Sequence, residues 1–409
     1  MTTEITRAPG TPEAFTLCLN PSAAPQNPWT EAQDAILSDA GLAAARATIG
    51  GWPGYAPTPL AALPGLAAGL GVAADVPEPG DAKPVDFLGQ PLLLLRDRRG
   101  VVRVFQNTCR HRGMILVDAP RRIEGAIRCP YHSWCYATDG RLVATPHVGG
   151  PGQNVHPEVD RATLGLIEIR SHVWRDVVFV NLSGDAPPFD EAMAGAISRW
   201  SDFDQPLYHG GTDSRFALDV ACNWKLAVEN YCESYHLPWV HPGLNSYSRL
   251  EDHYNIEAPG QFSGQGTRVY RQITDEDGAV FPDFPGLGPA WDQAAEYLAL
   301  YPNVLLGVHR DHAFAILLMP QGPERTQEQI HLYYATPDTD AALRARNTAQ
   351  WKTVFAEDVF VVEGMQRGRH GVKFDGGRFS PAMDGPTHCF HDWVAARLEA
   401  RRAAPRAAE

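Results

Sequence analysis

The segment Cys109–Trp134, CRHRGMILVDAPRRIEGAIRCPYHSW, decides how the first part of the chain is read. It holds Cys109-x-His111, seventeen intervening residues, then Cys129-x-x-His132. The short spacing inside each pair lets one tight loop aim both side chains at one point. Two such loops facing each other can enclose a metal centre. Thiolates suit a ferric ion and sulfide, whereas neutral imidazoles suit the iron that changes redox state. Common zinc fingers run Cys, Cys, His, His; here Cys and His alternate, and zinc stays the alternative. Cys135 falls outside the pairing and is expected to be a buried free thiol.

On either side of this segment lie short β-type runs broken by Gly and Asp. They are VDFLGQPLLLLRD (85–97), GVVRVFQNTC (100–109), Ala126–Arg128, Leu164–Arg170 and Val173–Leu182. A small all-β domain over 81–185 follows, ended by Pro187-Pro188. Residues 1–80, rich in Ala, Pro and Gly, are expected to form an irregular, partly helical cap, with one helix at Ser38–Ile49 stopped by Gly50-Gly51. Residues 186–409 mix elements in the manner of an α+β domain. Helices are expected near 190–203, 224–236 and 340–368, and strands near 304–319 and 329–336.

The second constellation lies in NWKLAVENYCESYHLPWVHPGL (223–244). As a helix it puts Glu229, Glu233 and His236 on one face. Pro238 pushes Leu237 out of the helical region, so the helix should stop there and leave His241 on the following turn. His236 and His241 then make two-thirds of a facial triad, which needs a carboxylate from elsewhere. The helix WKTVFAEDVFVVEGMQRG (351–368) offers Asp358 in the stripe Trp351, Phe355, Val362, Met365, with Glu357 turned toward solvent. A carboxylate in an apolar face costs several kcal/mol unless paired or bound to metal. A salt bridge to an arginine is the competing reading of Asp358.

The first segment, with FQNTCRHRG (105–113) and CPYHSWCYATDGRL (129–142), closely resembles a Rieske 2Fe-2S domain. The resemblance implies that Cys109 and Cys129 hold one iron and His111 and His132 the other. Ser133 stands where the family often has Gly. The second constellation resembles the catalytic domain of Rieske non-haem iron oxygenase alpha subunits: an acid, two residues, His, four residues, His, then a distant Asp. The implied fold is an all-β Rieske domain plus a helix-grip (START/Bet v1-like) domain with an antiparallel sheet and a long helix. Mononuclear Fe(II) would sit on His236, His241 and Asp358. Glu233 would bridge a cluster histidine of a neighbouring subunit to His236. Glu at that place is similar to the branch that oxidises carnitine, choline and glycine betaine, and SPAMDGPTHCFHDWVAARL (380–398) is similar to the family's C-terminal segment.

The resemblance implies a homotrimer and electrons from a separate flavin- and ferredoxin-type reductase. In keeping with that partner, the chain has neither GxGxxG nor a Walker loop. O2 would be activated at the iron to hydroxylate or N-demethylate a small methylated or quaternary amine. A box drawn from Tyr235, Trp239, Tyr247, Tyr254, Trp291, Tyr297, Tyr301 and Phe314 could hold it by cation–π attraction. The alternatives are ring hydroxylation or O-demethylation of an aromatic compound, and a Rieske electron carrier without oxygenase activity. Residues 52–73 resemble the opening of pyridoxal-phosphate enzymes of the diaminopropionate ammonia-lyase type. No Schiff-base lysine follows, so no pyridoxal phosphate is expected.

Composition fits these expectations. The 409 residues carry 35 basic and 48 acidic side chains, a net charge of −13, so nothing draws the chain to nucleic acid or anionic lipid. Seven cysteines, an odd number with three in one short segment, suit a reduced metal protein better than a disulfide framework. No basic-then-apolar leader opens the sequence, and apolar runs such as Ala313–Met319 fall far short of the ~20 residues that span a bilayer. A cytoplasmic protein is expected.

Overall fold

The computed structural model describes residues 67–403, with side chains through residue 399. The expected helix Ser38–Ile49 and most of the expected cap lie outside the described residues. Of that region residues 67–80 are described, with strand β1 (Ala68–Val72) followed by a single 3-10 turn at Ala73–Asp75. Strand β1 pairs antiparallel with β10 (Val177–Asn181), so Ala68–Val72 belongs to a sheet.

The first sheet grows from hairpins. Strands β2 (Asp81–Phe87) and β3 (Gln90–Arg96) meet across Leu88-Gly89, and β9 (Glu168–Trp174) meets β10 across Arg175-Asp176. All four turn residues have positive φ, the conformation that matches strand twist in a two-residue hairpin. The second turn moves the expected break between Leu164–Arg170 and Val173–Leu182 downstream; neither Arg nor Asp at the turn announces it as Gly would. With β4 (Val102–Gln106) and β5 (Arg121–Arg122), the strand order is β1-β10-β9-β4-β3-β2-β5. Alternate leucines of the run Leu92–Leu95 enter different cores: Leu92 and Leu94 face β10, whereas Leu93 and Leu95 pack on Cys109, Cys129 and Trp134. A small sheet of β6 (Ile127–Arg128), β7 (Cys135–Tyr136) and β8 (Leu142–Ala144) carries the second Cys–His loop.

Pro187-Pro188 is followed by short helices α1 (Phe189–Ala192) and α2 (Ala194–Arg199). The second large sheet comprises β11 (Tyr208–His209), β12 (Arg215–Val220), β13 (His253–Ala258), β14 (Phe262–Thr267), β15 (Ala295–Leu300), β16 (Val304–Val308), β17 (His312–Gly322) and β18 (Arg325–Tyr334). Its pairings are all antiparallel, in the order β11-β18-β17-β16-β15-β14-β13, and β12 pairs with β18. One face packs on β1 and β10 through Leu298, Leu306, Ala315 and Leu317. The other, through Phe314, Ile316, Ile330 and Leu332, packs on three helices. These are α3 (Trp224–Tyr231), α6 (Ala341–Gly368) and α7 (Gly385–Ala403). Burial on both faces explains why Ala313–Met319 reads as continuous apolar sequence rather than alternating.

Asn303 locks the two sheets together. Its side chain accepts from the Gly69 amide at 2.8 Å and donates to the carbonyls of Gly69 (2.9 Å) and Leu318 (3.0 Å). A Cβ on Gly69 would stand 2.4 Å from Val304 Cγ2, so only glycine permits this approach. Asp340 starts α6 by accepting from the amides of Ala342 and Leu343, the N-cap arrangement. No described helix is long and apolar enough to cross a membrane.

Candidate metal centres

The two Cys–His loops have the same backbone design. In the first, the Cys109 amide donates to the Met114 carbonyl and the Gly113 amide to the Cys109 carbonyl. In the second, Cys129 and Trp134, then Ser133 and Cys129, repeat those bonds at 2.8 and 3.0 Å. Gly113 has φ 72° and Ser133 has φ 59°. The fourth residue after each cysteine must therefore be left-handed, which is the physical reason for glycine at the place Ser133 fills.

Cys109 and Cys129 are buried, His132 is partly exposed and His111 is exposed. The two imidazoles lie edge to face with centroids 4.6 Å apart, and Trp134 stacks on His111 at 4.9 Å. Tyr136 Oη accepts from the Arg110 amide at 2.9 Å, leaving its own proton for Cys109 Sγ at 3.2 Å. Burial pushes the Cys109 thiol up against that hydroxyl's opposite pull. Desolvation, then the neighbouring His132, lowers His111 and keeps it neutral. His132 Nδ1 is buried with no hydrogen-bond partner. Two sheltered thiols and a facing imidazole pair with an orphaned nitrogen fit a cluster, which would supply the missing bond. Cys135 is half-buried and its thiol donates to the Ser133 carbonyl.

The second centre is assembled differently. Helix α3 stops at Tyr231, short of the expected 236. The Glu233 carboxylate captures the amides of Tyr235 and His236 and offers the backbone an alternative to helix. Pro238 does not end a helix. It sits in the first turn of a new one, α4 (Leu237–Val240), where its missing N–H costs nothing, and α5 (Pro242–Asn245) follows. His241 lies between α4 and α5, buried.

Asp358, on α6, lies beside both histidines: its Oδ1 is 3.1 Å from His241 Nε2 and 3.6 Å from His236 Nε2. One ligand atom from each of the three residues lies within 4.8 Å of the others, the one such group of three or more His, Cys, Asp or Glu among the described residues. Each histidine has a carboxylate behind it. Glu233 Oε1 is 2.6 Å from His236 Nδ1, and Glu357 Oε2 is 2.8 Å from His241 Nδ1. A carboxylate can only accept, so each Nδ1 carries the proton and each Nε2 is turned to the shared point. Glu357 therefore does not point to solvent as expected; it orients His241. Burial lowers the His241 pKa, but Asp358 and Glu357 more than offset it and leave it raised. A proton so placed is what a bound cation displaces. This donor set, two imidazoles and one carboxylate, fits ferrous iron with open positions.

Glu229 does not join the site. It pairs with Arg369 (3.1 Å to Nη1) and His391 (2.9 Å), which hold its carboxyl low against burial. Three unforeseen residues do join it. Asn230 donates to Asp358 at 3.0 Å, Glu357 is described above, and Glu328 lines a cavity with Asp358. Burial, then the charge of Asp358, pushes Glu328 up to about 8. The signal for Glu328 was a charge in the alternation Thr326, Ile330, Leu332, Tyr334 on the helix-facing side of β18.

The eight aromatics do not form one box. Tyr235 and Trp239 are exposed, and Tyr301 packs in the core against Trp393 at a tilted angle. Tyr254 and Trp291 are bonded to Glu296 and Asp202, and Tyr247 packs against Arg271. Tyr297 and Phe314 alone join Trp351 and Phe355 in a ring cluster over α6. A larger cavity of about 590 Å³ beside α7 shares no residue with the His–His–Asp group.

A Rieske [2Fe-2S] domain model matches residues 69–157, and the Ring hydroxylating alpha subunit (catalytic domain) model matches 210–400. The chain is 29% identical over 322 residues to choline monooxygenase of Arabidopsis thaliana, covering 75% of this chain and 70% of that one. It is 27% identical over 338 residues to putrescine 2-hydroxylase of Ralstonia nicotianae, covering 78% and 85%. Among solved structures, the quaternary ammonium Rieske monooxygenase CntA shares the fold with a TM-score of 0.65 at 20% identity, over 84% of this chain and 90% of that one. Two domain models in this order, each spanning one of the two metal-ligand sets, place the chain in the Rieske non-haem iron oxygenase family, as an alpha subunit whose cofactors are a Rieske 2Fe-2S cluster and a mononuclear iron.

Proposed function

We propose that this oxygenase hydroxylates or N-demethylates a small methylated or quaternary amine, with His236, His241 and Asp358 as iron ligands and Cys109, His111, Cys129 and His132 as cluster ligands. The observation that carries the reading is the convergence of the His–His–Asp atoms within 4.8 Å beside a cavity that Asp358 and Glu328 line. Acidic side chains around a small apolar space, one of them held protonated only by burial and by its acidic neighbour, favour a cation over a neutral arene. Relatives named for choline and putrescine oxidation point the same way.

Iron held there supplies the centre at which O2 is reduced with electrons stored by the cluster. The chain's residues do the rest. Glu233 fixes His236 and, in our reading, meets a cluster histidine of a neighbouring subunit in a homotrimer, a geometry served by the exposure of His111. Glu357 and Asn230 hold His241 and Asp358 in place. A flavin- and ferredoxin-type reductase delivers electrons one at a time.

The test is a substrate screen with a surrogate reductase. Formaldehyde or hydroxylated product from amines and betaines, with none from methoxyarenes, is expected. Product from aromatic compounds alone would reject the reading.

A further inference from the structure

The cavity beside Asp358 is closed by helices α3 and α6 on one side and by β12, β16, β17 and β18 on the other. Its walls are mainly apolar: Val220, Leu305, Ile316, Phe355 and Val362 among them. It measures about 30 Å³, room for a head group of roughly two water-sized units. Three polar groups besides Asp358 reach it. Tyr231 is already spent, since its hydroxyl donates to the Leu306 carbonyl at 2.8 Å. Asn230 is 7% exposed, and its Oδ1 is buried with no partner. The orientation of that amide is fixed, because its Nδ2 donates to the Asp358 carboxylate. The Glu328 carboxyl makes no hydrogen bond or ion pair among the described residues, and burial and Asp358 are all that perturb it.

The cavity thus holds two polar groups without partners, the Asn230 Oδ1 acceptor and the Glu328 carboxyl, which keeps its proton at neutral pH while the cavity is empty and becomes a counter-charge when a cation enters. Buried polar atoms without partners are costly, and a carboxylate in an apolar wall more so. The complementary ligand is a cation that brings its own N–H groups. A quaternary ammonium brings charge but no proton, would leave Asn230 Oδ1 orphaned, and is bulky for the space.

Resting on the amine reading above, we propose that this cavity seats the protonated head of a primary, secondary or tertiary amine. Glu328 serves as counter-charge, Asn230 Oδ1 accepts an N–H, and quaternary heads bind worse. Glu328 is thereby a specificity-determining residue. A bound ammonium supplies the partner that its carboxyl lacks.

Calorimetric titration of the cofactor-loaded protein at pH 7 tests this, with n-butylammonium, butyltrimethylammonium and neutral butanol as probes. Butylammonium should bind at least tenfold tighter than its trimethyl analogue. Glu328→Gln should weaken butylammonium at least tenfold and leave butanol, iron content and the cluster spectrum unchanged. Equal or tighter binding of the trimethyl probe, or unchanged butylammonium affinity in Glu328→Gln, overturns the proposal. Should that variant not fold, the wild-type probe series decides alone. Failure of the amine reading itself looks different: the ammonium probes bind in the expected order, yet a single turnover yields product only from aromatic compounds, and the cavity assignment stands.

Discussion

The two candidate metal centres of this chain are built on opposite plans. The cluster loops are local. Each closes within six residues through the same pair of backbone bonds, Cys109 with Met114 and Gly113, Cys129 with Trp134 and Ser133. The catalytic centre is collected. His236 stands at the start of α4, His241 at its end, and Asp358 arrives from α6 more than a hundred residues later. In the first centre backbone geometry aims the ligands. In the second, side chains aim them: Glu233 behind His236, Glu357 behind His241, Asn230 on Asp358. A site of the first kind tolerates change outside its loops, whereas one of the second kind depends on partners that bind no metal.

The sharpest way to break this comparison is to remove one ligand from each plan. Asp358→Ala should abolish turnover and mononuclear iron while the reduced cluster keeps its electron paramagnetic resonance signal. Cys129→Ala should lose that signal. A surviving turnover in Asp358→Ala would refute the assignment of the third ligand. Next in size is Glu357→Gln, which keeps an acceptor for His241 Nδ1 but removes the charge. Loss of an outer partner of this sort costs about 10- to 100-fold in metal affinity. Iron retention against a chelator should fall accordingly, with the cluster spectrum unmoved; unchanged retention would make Glu357 a bystander. The smallest effect belongs to Ser133→Gly. Relief of a left-handed serine, offset by the backbone entropy of glycine, should stabilise by up to about 1 kcal/mol. Thermal unfolding would show a rise of a few degrees at most, and a drop would mean that the serine side chain, not the backbone, holds that turn.

The comparison also explains what could be read in advance. Spacing alone pointed to the four proposed cluster residues, because a turn of fixed length leaves little choice of direction. Short β-type runs located β2, β3 and β18, the expected strand 304–319 folds as two, β16 and β17, and the stripe Trp351, Phe355, Val362 located α6 and put Asp358 on its buried side. Reading failed where a side chain overrode the local rule. Pro238 forbids the middle of a helix but favours its first turn, and which applies depends on whether the preceding helix has already stopped. It had stopped, because Glu233 took the amides of Tyr235 and His236. Glu357 was assigned to solvent from helical phase, yet a long carboxylate at the edge of a stripe can reach an imidazole arriving from α4.

By itself the sequence pointed to two candidate metal-ligand sets, to the residue types that would fill them, and to the elements beside which each would sit. Those properties depend on neighbours a few residues apart. Only the tertiary structure decided which acids stand behind His236 and His241, that Glu229 turns away to Arg369 and His391, and that Glu328 and Asn230 share a cavity with Asp358. Such choices depend on distances between residues far apart in the chain, set by how α3 and α6 pack on the sheet, and no local periodicity records them.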